Sequence, residues 1–460
     1  MARMVGGEGV IISAAMPIAD TVPPPGLPIR PPFVLRARLL TPLAAGGTRY
    51  ESDGVVAVDG EGRIAEVGRW PAALAADWPV FDVRPLVLLP GLVDLHVHLP
   101  QVPAAGVGAG LDLLTWLERH IFSLERAFRA SVAEELVPAI YRAMAASGTT
   151  TFLAYGAIWA DSVDVAFRAA ETHGIRATLG AVMMDRISYD DETPAGERLE
   201  RSLRDSAALC ERWNGAADGR LGYAFTPRFA VSCSAEMLRE SAALAARYDA
   251  IWQTHLSEDA REIETVARLF PEAADYLDVY DRAGGLGPRS VFAHSIHLSE
   301  GELGRLVASG SRIAHCPVSN LFISSGVMPL ARYLEAGANV GLGSDVAGSP
   351  ELSILTQMRT GFYAQNAYRV ATGDPRPIVD PLGLLRLGTL EGARALGLDG
   401  VTGSLEVGKE ADLICIDPRL TLPPGGEDSD DPDTLMSLLI FRERPGMVRG
   451  AWVRGRSLPM

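Results

Sequence analysis

Through the middle of the chain, short runs of apolar residues alternate with stretches whose apolar positions recur every three to four residues. The apolar runs are Leu88 to His98, Thr149 to Ala154, Arg176 to Met183, Leu221 to Thr226, Ile251 to His255, Ser290 to His294, Arg312 to Cys316 and Asn339 to Asp345. Between them, Ser131 to Ala146, Ala235 to Arg247 and Ser299 to Ala308 have the periodicity of amphipathic helices. Near-continuous apolar strands interleaved with helices predict an α/β fold, a closed parallel (β/α)8 barrel of the TIM type. The competing open, doubly wound sheet would carry a glycine-rich phosphate turn after its first strand, and none is present.

Both ends of the chain read differently. Phe33 to Leu40, Gly54 to Val58 and Arg63 to Val67 are short strand patterns, with Gly60-Glu61-Gly62 as a tight turn; Ala411 to Ile416 and Met447 to Val453 repeat the pattern at the far end. Two β-rich ends around a long middle can pair into one unit. The expected organisation is a proline-rich lead-in over residues 1–32, a composite β domain from 33–89 plus 400–460, and a catalytic barrel over 90–399. Pro23-Pro24-Pro25 and Pro31-Pro32 mark the lead-in.

Composition narrows the partners. With 48% hydrophobic and 22% charged residues, the chain has ample material for a core. Its net charge of −15, without any Lys/Arg-rich run, argues against a polymeric nucleic-acid partner. Cys210, Cys233, Cys316 and Cys415 stand far apart, as buried free thiols in a reducing compartment would. The apolar run Gly9 to Met16 lacks the basic cluster and cleavage site of a secretory signal. No stretch approaches the roughly 20 apolar residues that span a bilayer. The expected location is the cytoplasm, with no membrane partner.

Polar side chains suited to metal binding sit near the ends of the apolar runs. His96-x-His98 ends the first, His255 the fifth, His294 the sixth and Asp345 the eighth. Residues two apart on a strand share a face, so His96 and His98 can point together into the barrel mouth. Working groups of barrel enzymes stand at the C-terminal ends of several strands. Imidazoles plus a carboxylate suit zinc or iron(II) with a position open for a water, which then loses a proton near neutral pH. Each residue alone has a plainer reading: an incidental HxH, a hydrogen-bonded buried His294, or an Asp345 that caps the next helix. Four such groups at four strand ends are harder to explain structurally.

Pro90-Gly91-Leu92-Val93-Asp94-Leu95-His96-Val97-His98 resembles the opening motif of the amidohydrolase superfamily. Ser147-Gly148-Thr149-Thr150-Thr151 and Gly403-Ser404-Leu405-Glu406-Val407-Gly408-Lys409-Glu410-Ala411-Asp412-Leu413 resemble two others. The resemblance implies a (β/α)8 barrel with a small β-sandwich built from both chain ends, and His96, His98, His255 and Asp345 as metal ligands. No lysine stands where a carbamylated bridge between two metals would be needed, so one zinc per chain is expected, with iron(II) as the alternative.

Within the superfamily, His98-Leu99-Pro100-Gln101, Thr226-Pro227-Arg228-Phe229, Thr254-His255-Leu256-Ser257-Glu258, Ala293-His294-Ser295-Ile296-His297 and His315-Cys316-Pro317-Val318-Ser319-Asn320 resemble the guanine deaminases. Trp116-Leu117, followed by Phe122 and Glu125, is similar to the segment after that family's first strand. The resemblance implies that Gln101 and Arg228 hydrogen-bond the ring edge, with Phe229 and Trp116 as further substrate contacts. Donor and acceptor chemistry agrees, since Arg presents a fixed fork of donors and Gln both donates and accepts. Structurally, Arg228 can instead pair with a carboxylate and Gln101 can cap a helix.

Glu258 is the implied proton shuttle to a ring nitrogen, Asp345 takes a proton from the attacking water, and His294 holds and polarises that water. A solvated glutamate in a first helical turn is the plainer reading of Glu258. His297 reads as a helix-entry or packing residue rather than a ligand, the role of His315 stays open, and His120 and His173 receive no chemistry. Ser344, Ala347, Ile187 and Val102 depart from the guanine-specific pattern, which keeps another aminopurine, a pterin or a triazine open as substrate. A barrel that has lost catalysis would show eroded ligands, whereas all of these are present. The resemblance also implies a homodimer.

Overall fold

The structure is a computed structural model and describes residues 26–71 and 77–460. The run Gly9 to Met16, the Pro23-Pro24-Pro25 cluster and most of the lead-in lie outside the described residues.

Eight parallel strands form the barrel wall, in chain order around the sheet: Leu92–His98, Thr149–Tyr155, Arg176–Gly180, Leu221–Pro227, Ile251–Leu256, Ser290–His294, Arg312–His315 and Asn339–Leu342. Val182–Met183 adds a short parallel rung to the fourth strand. Just beyond its last ladder residue, the eighth strand reaches the first. The Asp345 N–H donates to the His96 carbonyl at 2.7 Å, and the His98 N–H donates to the Val346 carbonyl at 3.3 Å. Helices pack outside, so the first strand is buried at every position, and such strands read as unbroken apolar runs.

The helices start and stop where their ends are satisfied. Ser234 accepts from the Met237 N–H to cap Ala235–Arg247, and Ser299 and Glu302 form a reciprocal capping box for Glu300–Ala308. Gly174, with φ of 95°, ends Ala160–His173 in the left-handed region.

Three apolar runs are interrupted. The first divides into Val80–Pro90, which belongs to another sheet, and the barrel strand Leu92–His98. Gly91 is the break: its N–H donates to the Asp412 carbonyl at 3.0 Å, and a Cβ there would stand 1.9 Å from Thr150 Oγ1. The third run divides between Gly180 and Val182, and the eighth leaves the ladder at Leu342, before it reaches Asp345.

Both chain ends build one seven-stranded sheet. Its order is Arg456–Ser457, Val448–Val453, Leu413–Ile416, Val80–Pro90, Phe33–Pro42, Thr48–Val58 and Ile64–Arg69. Neighbours are antiparallel except Phe33–Pro42 with Val80–Pro90. Phe33, Leu35, Val56, Leu88, Leu413 and Trp452 pack together in its own apolar cluster.

The sheet is pinned to the barrel at the end where the strands begin. Arg176, the first residue of the third barrel strand and 1% exposed, donates from Nε to Asp412 at 2.8 Å and from Nη2 to Glu410. Arg454 also donates to Glu410, at 2.7 Å. Among the described residues, no helix is long and apolar enough to cross a membrane, and the four cysteines are buried and unpaired.

Candidate active site

A cavity opens at the C-terminal ends of the barrel strands. It is lined by every site residue read from the sequence except His96, which contacts the same cluster, and by the apolar side chains of Leu113, Leu117 and Ile323.

His98 Nε2 lies 3.2 Å from His255 Nε2, and His96 Nε2 lies 3.2 Å from Asp345 Oδ1. His98 Nε2 is 3.6 Å from the same oxygen. A tetrahedral cation with bonds of about 2.0–2.1 Å sets its ligands roughly 3.3 Å apart, so this spacing matches one shared ion. The hydrogen bonding points the same way. His255 Nδ1 faces the Arg228 carbonyl at 2.6 Å and must donate to it, which leaves Nε2 with a lone pair aimed at His98.

His96 Nε2 and His98 Nδ1 have no hydrogen-bond partner among the described residues, although both are buried. His96 Nε2 and Asp345 are close without the angle of a hydrogen bond; both address a common point. Burial, with the nearby His96, pushes His98 and His255 well below the usual histidine range, toward the neutral form that binds metals. The donor set fits a divalent cation.

His294 stands beside this set. Its Nδ1 faces Asn320 Oδ1 at 2.9 Å, and its Nε2 is 3.4 Å from Glu258 Oε2 and 3.8 Å from Asp345 Oδ2. Its donor atoms, with those of His96 and Asp345, also lie within 4.8 Å of one another, a fifth donor next to the expected four. Ser257, His294 and Asp345 have φ of 45°, 66° and 51°. Non-glycine residues seldom adopt such angles, and two of the three, His294 and Asp345, carry side chains that line the cavity.

The two acids have opposite surroundings. Burial works against the charge of Asp345, but His96, His294 and the Ser319 hydroxyl hold its pKa below the ordinary value; Ser319 Oγ donates to Oδ2 at 2.5 Å. Glu258 is 1% exposed, and burial together with Asp345 and Glu262 pushes its carboxyl well up. The Ser325 hydroxyl donates to its Oε1 at 3.3 Å. The solvated first-turn reading of Glu258 is thereby corrected: Asp259 caps the helix Ala260–Leu269, and Glu258 faces inward.

Gln101 caps no helix. Its Nε2 donates to Glu125 Oε1 at 2.8 Å, and Arg228 Nη1 donates to both Glu125 oxygens, at 2.7 Å to Oε1. Arg228 therefore does pair with a carboxylate while still lining the cavity. Glu125 arrives on helical pieces that follow the first strand: Leu113–Trp116, the π-turn Leu117–Ile121, and Phe122–Ala127. Asp112 starts them by accepting from the Thr115 N–H. Trp116 spends its indole N–H on the Val107 carbonyl at 2.9 Å, which leaves the ring as wall, and Phe229 is a second aromatic wall.

Sequence reasoning gave no role to four residues that hold the site in place: Glu125, Ser319, Asn320 and Asp94. Asp94 accepts from the Ser344 N–H at 2.8 Å and hydroxyl at 2.6 Å, and from the His96 N–H at 3.2 Å. It ties the first strand to the segment after the eighth. All four lie in segments noticed for their family likeness, which was the available signal. His120, His173, His297 and His315 do not line the cavity.

A sequence model of the Amidohydrolase family matches residues 87–458. The chain is 42% identical over 416 residues to the "Probable guanine deaminase" of Deinococcus radiodurans, covering 88% of this chain and 92% of that one. The guanine deaminase of C. acetobutylicum, solved with guanine in its active site, superposes with a TM-score of 0.86 at 26% identity, covering 93% of this chain and 99% of that one. An adenosine deaminase of Xanthomonas campestris solved with bound zinc gives a TM-score of 0.78 at 28% identity, covering 94% and 93%.

Proposed function

Because this chain belongs to the amidohydrolase family, we propose that it is a hydrolytic deaminase that converts guanine to xanthine and ammonia with one zinc ion bound. One observation carries the reading: the donor group of His96, His98 and His255, which Asp345 approaches at 3.2 and 3.6 Å, meets at the mouth that the ring-edge groups Gln101 and Arg228 line. Guanine is the ligand of a structural relative that aligns along nearly the whole chain. Zinc is favoured over iron(II) by the imidazole-rich donor set and by the zinc found in another relative.

His96, His98, His255 and Asp345 would hold the cation, whose Lewis acidity would make a water nucleophilic near neutral pH. The protein's own groups do the rest. His294 orients the attacking water, with its ring fixed through Asn320. Asp345, kept ionised by its neighbours, accepts the proton that water loses. Glu258, kept protonated by burial, delivers a proton to the ring nitrogen beside the carbon under attack. Asp345 passes the proton it took to the amino nitrogen, and collapse of the tetrahedral carbon, whose hydroxyl proton returns to Glu258, expels ammonia. Arg228 and Gln101 hold the ring edge, while Trp116 and Phe229 wall its faces and exclude water. The reading includes a cytoplasmic homodimer; four unpaired buried thiols support the compartment.

The test is ammonia release from guanine by cation-replete protein, beside adenine, a pterin and a triazine. Turnover of guanine and a loss of about a hundredfold or more in Glu258→Gln are expected. Absence of guanine turnover, or a fully active Glu258→Gln, overturns the assignment.

A further inference from the structure

A fully buried carboxylate stands behind two of the side chains that line the cavity. Glu125 is 0% exposed, and its two oxygens accept from Gln101 Nε2 and Arg228 Nη1, side chains from two separate segments of the barrel mouth. A carboxylate facing a guanidinium accepts hydrogen bonds and donates none. Only the NH2 end of Gln101 can face it, so the amide cannot flip, and Oε1 must point away. That oxygen takes only a long contact from the Ala347 N–H, at 3.4 Å, and keeps a lone pair free.

The same carboxylate fixes the other side chain. Arg228 spends Nη1 alone on protein acceptors among the described residues, and the Phe122 ring lies 5.6 Å from its guanidinium carbon. Nε and Nη2 remain as donors on a group that lines the cavity. One carboxylate thus locks an acceptor and a donor side by side.

We propose that Glu125 is a positioning residue, which fixes Gln101 as acceptor and Arg228 as donor so that the cavity selects a lactam edge. That edge is a ring N–H beside a ring carbonyl, next to the carbon that bears the amino group. Guanine carries it, and so does a 2-amino-4-oxo-pteridine. 2-Aminopurine has the same amino group without the carbonyl, and 2,6-diaminopurine presents an amine in its place; an amino-triazine without a carbonyl lacks the edge as well. The inference rests on the deaminase reading and narrows its substrate class. A rejected ring would leave buried donors unpaired, the situation in which polar sites discriminate most strongly.

The test compares ammonia release from guanine, 2-aminopurine and 2,6-diaminopurine by wild type and Glu125→Gln, alongside metal content and melting temperature. Wild type should prefer guanine over both analogues by about a thousandfold or more in kcat/KM. In Glu125→Gln, KM for guanine should rise about tenfold or more, kcat should fall less than KM rises, and the preference should shrink at least tenfold, with metal content unchanged. Equal losses on all three substrates, accompanied by lost metal or a lowered melting temperature, would mark Glu125 as structural only and overturn the proposal. Unchanged KM and preference would overturn it too. If Glu125→Gln does not fold, the wild-type panel decides: guanine turnover without preference removes the inference alone, whereas no guanine turnover removes the deaminase reading beneath it.

Discussion

Glu258 and Asp345 carry the same functional group into one cavity, and their surroundings drive their acidities in opposite directions. Such a split gives an acid and a base at a single pH. The effect of burial on one ionisable side chain can be tested away from the site. His173 faces the Pro459 carbonyl at 2.9 Å, and burial pushes it down to about 4 from an ordinary 6.5. A depressed histidine is neutral in the folded chain while the unfolded chain already takes up a proton. Stability is therefore full above pH 6.5 and falls as pH drops from 6.5 toward 4, by at most about 3 kcal/mol. Urea midpoints at pH 7 and pH 5 should converge in His173→Gln relative to wild type. At this scale the ligands were legible because strand periodicity puts His96 and His98 on one face and because His255 and His294 close apolar runs. Glu125 was not legible as an organiser, because its partner Arg228 lies 103 positions away along the chain and only the fold brings them together.

Elements show the same division. The barrel strands could be read because burial on both faces leaves unbroken apolar sequence. Their exact ends could not, because Gly91 breaks the first run for a steric reason: Thr150, from the neighbouring strand, occupies the space of a Cβ. The motif from Gly403 to Leu413 was legible as a family signature, yet its physical task was hidden. Its Glu410 and Asp412 receive Arg176 from more than two hundred residues earlier, at the barrel end remote from the cavity. Polar groups at that end of a barrel serve stability. Arg176→Met should leave Glu410 and Asp412 without a buried partner and cost about 3–5 kcal/mol in chemical denaturation, with activity per folded molecule retained. A loss of activity at unchanged stability would contradict this division of labour.

For the molecule as a whole, the proposed cation would join the first, fifth and eighth strand regions through His96, His98, His255 and Asp345. A ligand bound only by the folded state adds about 4 kcal/mol when present at a thousandfold over its Kd. Complete removal by a chelator should abolish deamination and lower the melting temperature by several degrees, and added zinc should restore both; an unaltered melting temperature would show that the cluster does not bridge the wall. The seven-stranded sheet constrains the molecule in another way, through the order in which a ribosome makes it. Phe33–Pro42 is made long before Val448–Val453, yet both belong to one hydrogen-bonded layer, with Leu35 and Trp452 in a shared apolar cluster. Until Leu413–Ile416 is made, Val80–Pro90 must wait with an unfilled edge, so the nascent chain offers chaperones a greasy, strand-ready surface.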